Sequence, residues 1–186
     1  MRGRIAIVIA VLSVSVTSTV RAQDDLPVGR FGFVGGFRQN TGQLGDDFGL
    51  GYLIGVEAGY QPSSLAKNFS LGVSWEVLWG QFDADNPELV ETELSVLEMN
   101  FGLRLRRAIG EAEPQFFVAA AGVTLFRTSI PVPPDSDRLY VGPYAGVGLD
   151  RYLAGRYLLS FEARYGLIAY GPSSLSLVLA FSFGSR

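Results

Sequence analysis

The segment GLGYLIGVEAGY, residues 49–60, alternates two kinds of side chain at every position. One set is apolar and mostly large, and it comprises Leu50, Tyr52, Ile54, Val56, Ala58 and Tyr60. The other set is mostly glycine and includes the carboxylate of Glu57. Because successive side chains of a β-strand point to opposite faces, this period of two predicts a strand with one apolar face and one small, polar face.

The same alternation recurs along the chain and predicts an all-β protein with eight antiparallel strands. The predicted strands are residues 31–37, 49–60, 69–79, 97–106, 117–125, 139–150, 157–166 and 174–183. Pro143 lies inside the sixth strand. Proline lacks the N–H that a strand donates to its neighbour, so we expect a local irregularity at this position.

The connections between these strands alternate in length. Those after strands one, three and five, residues 38–48, 81–93 and 128–138, are long and acidic or proline-rich, whereas residues 153–156 form a tight turn. Short turns at one end and longer loops at the other are typical of outer-membrane barrels. Three connections fit this rule imperfectly: residues 61–68 and 107–116 are long for the short side, and residues 169–173 are short for the long side.

The N-terminus has the features of an export signal. Arg2 and Arg4 precede an apolar stretch at residues 5–12, and Val20-Arg21-Ala22 is a small-residue cleavage site. A retained membrane anchor is the alternative, but the apolar run is short and gives way to Ser and Thr. We therefore predict a signal peptide at residues 1–22 and one barrel domain at residues 23–186.

Composition excludes several classes of function. The chain contains neither Cys nor His, so it has no disulfide, no thiolate metal site and no histidine to act as the usual base of Ser and Cys hydrolases. Its net charge of −3 becomes more negative when Arg2, Arg4 and Arg21 are removed with the signal, which disfavours a nucleic acid as partner. After the first 20 residues, no apolar run is long enough for a membrane-spanning helix. We expect no enzymatic activity and no cofactor.

Side-chain volume indicates which face of the barrel meets lipid. An eight-stranded barrel has an interior just wide enough for side chains, so the face rich in Gly, Ser and Ala belongs inside. A water-exposed outer face would be rich in charged residues, yet Lys occurs only at Lys67. The apolar face carries aromatic residues that suit membrane interfaces, namely Tyr52, Tyr60, Phe69, Trp75, Trp79, Tyr157, Tyr165 and Phe183. The alternatives are a soluble lipocalin-like barrel and a sandwich core, in which the same aromatic residues point inward.

This pattern resembles the small eight-stranded outer-membrane proteins, such as the membrane domain of outer membrane protein A and its relatives. The resemblance covers residues 23–186 as an architecture and is most specific in the last strand. There, Leu175, Leu177, Leu179, Phe181 and Phe183 resemble the C-terminal signal for barrel assembly, although residues 184–186 follow the final aromatic residue. The resemblance implies an up-and-down transmembrane β-barrel, monomeric and located in the cell outer membrane of a Gram-negative bacterium. Its implied partners are outer-membrane lipid, lipopolysaccharide and the barrel-assembly machinery.

Charged residues on the small face predict a network of ion pairs inside the barrel. They are Glu57, Glu76, Glu98, Arg104, Arg106, Asp150, Glu162 and Arg164. Charges removed from bulk water need partners of opposite sign and hydrogen bonds. The alternative for these carboxylates is acid–base catalysis of the kind that glycosidases perform.

The longer connections contain a second group of carboxylates, Asp46, Asp47, Asp83, Asp85, Glu88, Glu91 and Glu93. Calcium sites need several oxygens at set spacings, and no calcium-loop motif is present, so we interpret these residues as solvated loops. We assign no catalytic, cofactor-binding or metal-binding residue.

Three functional hypotheses follow. The first is a non-enzymatic outer-membrane barrel with a structural or surface-contact role through its acidic loops. The second is a narrow pore, and the third is an exported, soluble, lipocalin-like barrel that binds a lipid or another apolar ligand. Outer-membrane enzymes of this size, such as lipid A deacylases and palmitoyltransferases, generally use His beside Ser, and this chain has no His.

Overall fold

The structure of the chain is a computed structural model that describes residues 29–41, 47–66, 69–85, 93–109, 115–129, 137–154, 156–167 and 173–185. The predicted signal peptide, residues 1–22, lies outside the described residues. In the part of the chain that the structure describes, no helix is long and apolar enough to cross a membrane.

Eight antiparallel strands form one closed barrel. Each strand pairs with the next along the chain, and β8 pairs with β1. The strands are β1 (Gly29–Thr41), β2 (Leu50–Ala66), β3 (Phe69–Asp83), β4 (Glu93–Ile109), β5 (Gln115–Ser129), β6 (Asp137–Leu153), β7 (Tyr157–Gly166) and β8 (Ser173–Ser185). The predicted all-β, eight-stranded, up-and-down barrel is confirmed.

Alternation along each strand places the apolar face outside. In β3, for example, Val73, Trp75 and Trp79 are exposed, whereas Ser74 and Glu76 are buried in the lumen. Within the described residues nothing covers the outward side chains, because the barrel is a single layer of strands closed on itself. The inward side chains form the core.

Most strands extend beyond their predicted ends, and this corrects the predicted connections. β2 continues to Ala66, so its connection to β3 is residues 67–68 rather than 61–68. β4 continues to Ile109, and the connection to β5 is residues 110–114. The connections at the opposite end are residues 42–49, 84–92, 130–136 and 167–172. Two of the three imperfect fits were therefore errors in the strand bounds, whereas the β7–β8 connection remains the shortest of those at this end. We call the end with the longer connections the mouth and the other end the terminal end, because Gly29 of β1 and Ser185 of β8 meet there.

The irregularity predicted at Pro143 is wrong. The β5–β6 ladder runs without a register shift through the pair Val123–Pro143. The β6–β7 ladder ends at Tyr144–Gly166, next to this proline, and the Pro143 carbonyl accepts a hydrogen bond from Leu167 N at 2.9 Å. The missing N–H thus falls where pairing with β7 is already ending. The register shifts lie instead in the β2–β3 ladder. One falls between Tyr60 and Ser63 of β2, and the other between Ser64 and Ala66.

A glycine on the inner face of β2 permits close approach of β3. A Cβ atom on Gly55 would lie 1.9 Å from the carbonyl oxygen of Val77, which belongs to the backbone and cannot turn away. We predict that Gly55→Ala lowers the free energy of unfolding by about 1–3 kcal/mol, as overpacking does. Urea unfolding in lipid vesicles measures this loss.

The matched control is Gly35→Ala on the outer face of β1, where the nearest atom would be 3.4 Å away. We expect it to change stability by less than about 0.5 kcal/mol. Equal losses for the two variants would contradict this account of strand packing.

Candidate functional site

The lumen holds a chain of charged and polar side chains that begins near the mouth. Arg38 of β1 forms an ion pair with Glu98 of β4, and its Nε donates to Asn40 Oδ1 at 3.0 Å. Asn100 Nδ2 donates to Glu98 Oε1 at 2.8 Å and to Glu76 Oε2 at 3.4 Å. Thr124 Oγ1 in turn donates to Asn100 Oδ1 at 2.5 Å. These contacts join β1, β3, β4 and β5 inside the barrel.

The centre of the network crosses the lumen. Arg164 of β7 makes a two-pronged contact with Glu76 of β3, and its Nη2 donates to Glu76 Oε1 at 2.7 Å. Arg164 Nε also donates to Glu162 Oε1 at 2.7 Å. The second oxygen of Glu162 accepts from Arg104 Nη1 at 2.7 Å. These hydrogen bonds connect strands across the lumen that are not neighbours in the sheet.

Three arginines surround one carboxylate toward the terminal end. Asp150 Oδ1 accepts from Arg104 Nη2 at 3.1 Å, and its Oδ2 lies 2.6 Å from Arg106 Nε and 3.9 Å from Arg30 Nη1. Arg30 Nη2 also lies 3.6 Å from Glu57 Oε2. Glu57 accepts a hydrogen bond from the hydroxyl of Ser182. The network therefore ends on β1, β2 and β8, where the barrel closes.

Charge in this network is balanced. It contains the arginines Arg30, Arg38, Arg104, Arg106 and Arg164 and the carboxylates Glu57, Glu76, Glu98, Asp150 and Glu162. All ten form at least one ion pair within 4.0 Å. A buried ion needs opposite charge and hydrogen bonds to replace its water. Here each charge has a partner of opposite sign within the protein, although Arg30 Nη1 and Nη2 lie near Asp150 and Glu57 without a hydrogen bond.

The structure places all eight lumen residues named from the sequence inside the barrel and brings them into this one network. Sequence reasoning missed Arg30 and Arg38, since the first strand was predicted as residues 31–37 and both arginines fell just outside it. The signal was present: Arg30, Gly32, Val34, Gly36 and Arg38 continue the period of two on the inner face.

Apolar side chains fill the lumen above the network, which the sequence interpretation did not predict. Phe48, Phe82, Leu94 and Phe126 are buried in one cluster with Leu53, Leu78 and Val96. The guanidinium carbon of Arg38 lies 4.3 Å from the ring centroid of Phe126, so the cluster rests directly on the network.

A smaller apolar cluster lies at the terminal end. Phe116 packs edge-to-face on Tyr152 with ring centroids 6.0 Å apart, and Leu158 is buried with them. Arg106 Nη1 donates to the Tyr152 hydroxyl at 3.2 Å, which connects this cluster to the charged network. From the mouth to the terminal end, the lumen thus contains an apolar cluster, the charged network and a second apolar cluster.

The two cavities found beside the network among the described residues are small. One cavity beside Arg38, Glu98 and Arg164 has a volume of about 10 Å³, and a second beside Arg30, Arg104 and Arg106 has the same volume. A volume of this size is about that of one water probe. Tyr144 adds to the filling: its hydroxyl occupies the space where a Cβ on Gly102 would lie, 2.1 Å away.

At the mouth, the described residues of the first two connections bond to each other and to β1. The Phe48 carbonyl accepts from Asn40 Nδ2 at 2.9 Å, and Asn40 N donates to the Gly49 carbonyl at 2.8 Å. Asp85 Oδ2 accepts from Gly49 N at 3.1 Å, while Asp85 N donates to the Asp47 carbonyl at 2.8 Å. Two of the acidic residues, Asp47 and Asp85, therefore hold the first and second long connections together. Asp46, Glu88 and Glu91 lie outside the described residues.

The outer face is apolar over most of the barrel's height. Large apolar side chains are about half exposed on every strand, for instance Phe33 at 61%, Ile54 at 58% and Val147 at 55%. Near the mouth Tyr52 packs edge-to-face on Trp79, and the Tyr52 hydroxyl donates to Gln81 Oε1 at 2.7 Å. An aromatic residue with an apolar body and a polar tip suits a membrane interface.

On the mouth side of this aromatic pair, polar residues lie on the outer face and large apolar residues lie on the inner face. Gln81, Asp83 and Glu93 point outward on β3 and β4, while Phe82 and Leu94 point inward. Gln81 Nε2 donates to Glu93 Oε2 at 2.6 Å across the outer surface. The rim thus has a polar exterior and an apolar core, the arrangement of a barrel surrounded by water.

Solved structures share this architecture. Neisserial surface protein A superimposes with a TM-score of 0.60 at 14% sequence identity, over 84% of this chain and 97% of that one. This chain shares the fold of small outer-membrane barrels. The outer membrane protein OprG from Pseudomonas aeruginosa gives a TM-score of 0.54 at 13% identity, over 86% of this chain and 98% of that one. No family model and no curated protein matches the sequence. The likeness therefore concerns the fold.

The position of Arg104 between two carboxylates predicts a large cost for its removal. We expect Arg104→Ala to lower the free energy of unfolding by about 3–5 kcal/mol, because Asp150 and Glu162 would keep their charge and lose a partner. Urea unfolding in lipid vesicles is the measurement. The control is Arg107→Ala, an exposed outward residue on the same strand, with an expected loss below about 1 kcal/mol. An Arg104→Ala loss as small as that of the control would show that the network does not support the barrel.

Proposed function

We propose that the protein is an integral barrel of the cell outer membrane with a structural or surface-contact role and no enzymatic activity. The observation that carries this proposal is the combination of an apolar exterior with a filled, charge-balanced lumen. An exterior of this kind needs lipid around it, and a lumen of this kind has neither a channel's space nor an open binding site.

The exterior supports membrane insertion on physical grounds. A soluble monomer rarely exposes a contiguous apolar patch larger than a few hundred Å². Here Phe31, Phe33 and Phe37 on β1 are each more than half exposed, and Leu175 and Leu179 on the adjoining β8 are at least half exposed as well. The strands also leave no open edge, which is the only way a β-sheet satisfies its backbone hydrogen bonds in hydrocarbon.

The lumen favours this role over the two alternatives. A lipocalin-like protein holds its ligand in an open interior, yet the described lumen is occupied by Phe82, Phe126, Tyr144 and ten paired charges. A pore needs a water-filled path, and the two internal cavities beside the network each have a volume of about 10 Å³. The five carboxylates of the described lumen are all engaged by arginines, so none of them is poised for acid–base work.

The mouth would provide the contact surface. Asp83, Asp85 and Glu93 are exposed around it, beyond the Tyr52–Trp79 pair that marks the interface. In this proposal the mouth faces the cell exterior among lipopolysaccharide head groups, the protein is a monomer, and the barrel-assembly machinery inserts it.

Fractionation and gel mobility test the membrane assignment. We expect the protein to sediment with outer membranes, to require detergent for extraction, and to migrate differently on a gel when it is not heated, because the closed barrel resists denaturation by detergent. Recovery in the soluble periplasmic fraction, with no difference between heated and unheated samples, would contradict the proposal.

Planar-bilayer recordings test the sealed lumen. Inserted protein should produce no stable conductance steps, since the arginine–carboxylate network and the apolar layers exclude ions. Reproducible single-channel steps at a level proportional to salt concentration would favour the narrow pore instead.

A further inference from the structure

A groove of about 710 Å³ crosses the outer face of β2, β3, β4 and β5. Its floor includes the small residues Ala58 and Ala121, and its walls include Tyr60, Trp75, Phe101 and Leu103. Trp75 pairs with both Ala58 and Phe101, while Leu103 pairs with Ala121. We call this feature the outer groove. It exists because Ala58 and Ala121 are small where the residues beside them, Trp75, Phe101 and Leu103, are large.

The outer groove lies in the terminal half of the barrel. Phe101 is at the middle of β4, and Tyr60 pairs with Gly29, the first residue of β1. The outward side chains that line it are apolar apart from the phenol tip of Tyr60, whereas Ser74, which also borders it, points into the lumen. Within the apolar band the material available to fill such a groove is a hydrocarbon chain.

A positive charge lies beyond the groove, further toward the terminal end of β4. Leu103, Leu105 and Arg107 follow one another on the outer face of β4, and Arg107 is exposed, with its guanidinium carbon 5.6 Å from the ring centroid of Phe69. The strand rises about 20 Å from Phe101 to Arg107, which is about 14 Å of depth at a tilt of about 45°. One leaflet of a bilayer contributes about 15 Å of hydrocarbon. A chain that reaches Phe101 therefore places its head group at the level of Arg107.

The charges exposed at the two ends of the barrel differ. Among the residues that the structure describes, Arg107 and Arg156 are exposed at the terminal end, whereas Asp83, Asp85 and Glu93 are exposed at the mouth alongside Arg127. The terminal end is thus the one suited to an anionic head group. A guanidinium binds a phosphate through a planar pair of donors.

We propose that the outer groove holds an acyl chain of an anionic phospholipid, whose phosphate is bound by Arg107. The lipid comes from the leaflet at the terminal end of the barrel. This site rests on the membrane location proposed above and adds to it a specific lipid position, distinct from the lipid that surrounds the rest of the exterior.

The two tryptophans provide a direct test, because they lie on the same face of β3 and only Trp75 lines the groove. Trp79→Phe leaves Trp75 as the sole tryptophan, and Trp75→Phe leaves Trp79 as the matched control. Each protein is inserted into phosphatidylcholine bilayers that contain a small fraction of chain-brominated phosphatidylglycerol or chain-brominated phosphatidylcholine. The quenching of tryptophan fluorescence is then compared between the two brominated lipids.

We expect brominated phosphatidylglycerol to be enriched about fivefold beside Trp75, because one arginine near a membrane surface attracts an anionic lipid by about that factor. We expect no enrichment beside Trp79. Arg107→Gln in the Trp75 protein should make the two lipids quench equally. Equal quenching of Trp75 by both lipids in the protein that retains Arg107 would overturn the inference. General quenching by both lipids together with a normal gel shift would leave the membrane assignment standing, so the two failures are distinguishable.

Native mass spectrometry after release from phosphatidylglycerol nanodiscs gives a second measurement. The barrel should retain one phosphatidylglycerol; Ala121→Phe, which fills the groove, should lose it, and Ala163→Phe, which adds the same ring to the outer face of β7, should keep it. Equal retention by the two variants would contradict the site. A protein dimer in place of the lipid adduct would assign the groove to a second copy of the chain and would also overturn the inference.

Discussion

The pairing of β1 with β8 is the constraint on which the rest of this structure depends. A β-sheet in hydrocarbon must satisfy every backbone donor and acceptor within itself, and closure is what removes the two free edges. Closing only eight strands leaves an interior that side chains alone can fill. Closure therefore determines both the outside, which has no protein to cover it, and the inside, which has no room for solvent. The alternation of large apolar residues with small or charged ones meets both requirements, an apolar outer face and a filled lumen.

The lumen resolves a conflict between two requirements. The inner face of the barrel must be polar enough to differ from the lipid-facing outer face. Charges removed from water are nevertheless costly unless they are paired. Five arginines and five carboxylates meet this condition through contacts that cross the barrel, such as Arg164 to Glu76. Apolar clusters around Phe82 and Tyr152 cover the two ends of the network. An interior built this way stabilises one packing and offers no empty path, which is why the proposed role lies on the surface.

Much of the fold was predictable from period two alone, because lipid outside and a narrow lumen inside make the two faces chemically opposite. The β7 strand, for example, has the same bounds in the prediction and in the structure. The strand ends near the mouth were not predictable in this way. At Phe82, Leu94 and Phe126 the large residues turn inward and polar residues turn outward, so the pattern inverts. The prediction therefore assigns Phe82 to a loop and places Leu94 and Phe126 outside the predicted strands. The prediction treated the exterior as lipid along the whole strand, whereas the rim has the polarity of a barrel in water. The same shortened bounds hid Arg30 and Arg38 from the predicted network.

The central claim is that the apolar band of the exterior faces lipid and that this contact ends at the rim. Nitroxide labels placed one at a time on the outward positions Leu71, Val73, Val77, Gln81 and Asp83 of β3 in bilayers measure it directly, through collision rates with oxygen, which partitions into hydrocarbon, and with a water-soluble nickel complex. The account predicts that oxygen dominates at Leu71, Val73 and Val77 and that the nickel complex dominates at Gln81 and Asp83. Dominance of the nickel complex at Val73 and Val77 would contradict it, because the band would then face water.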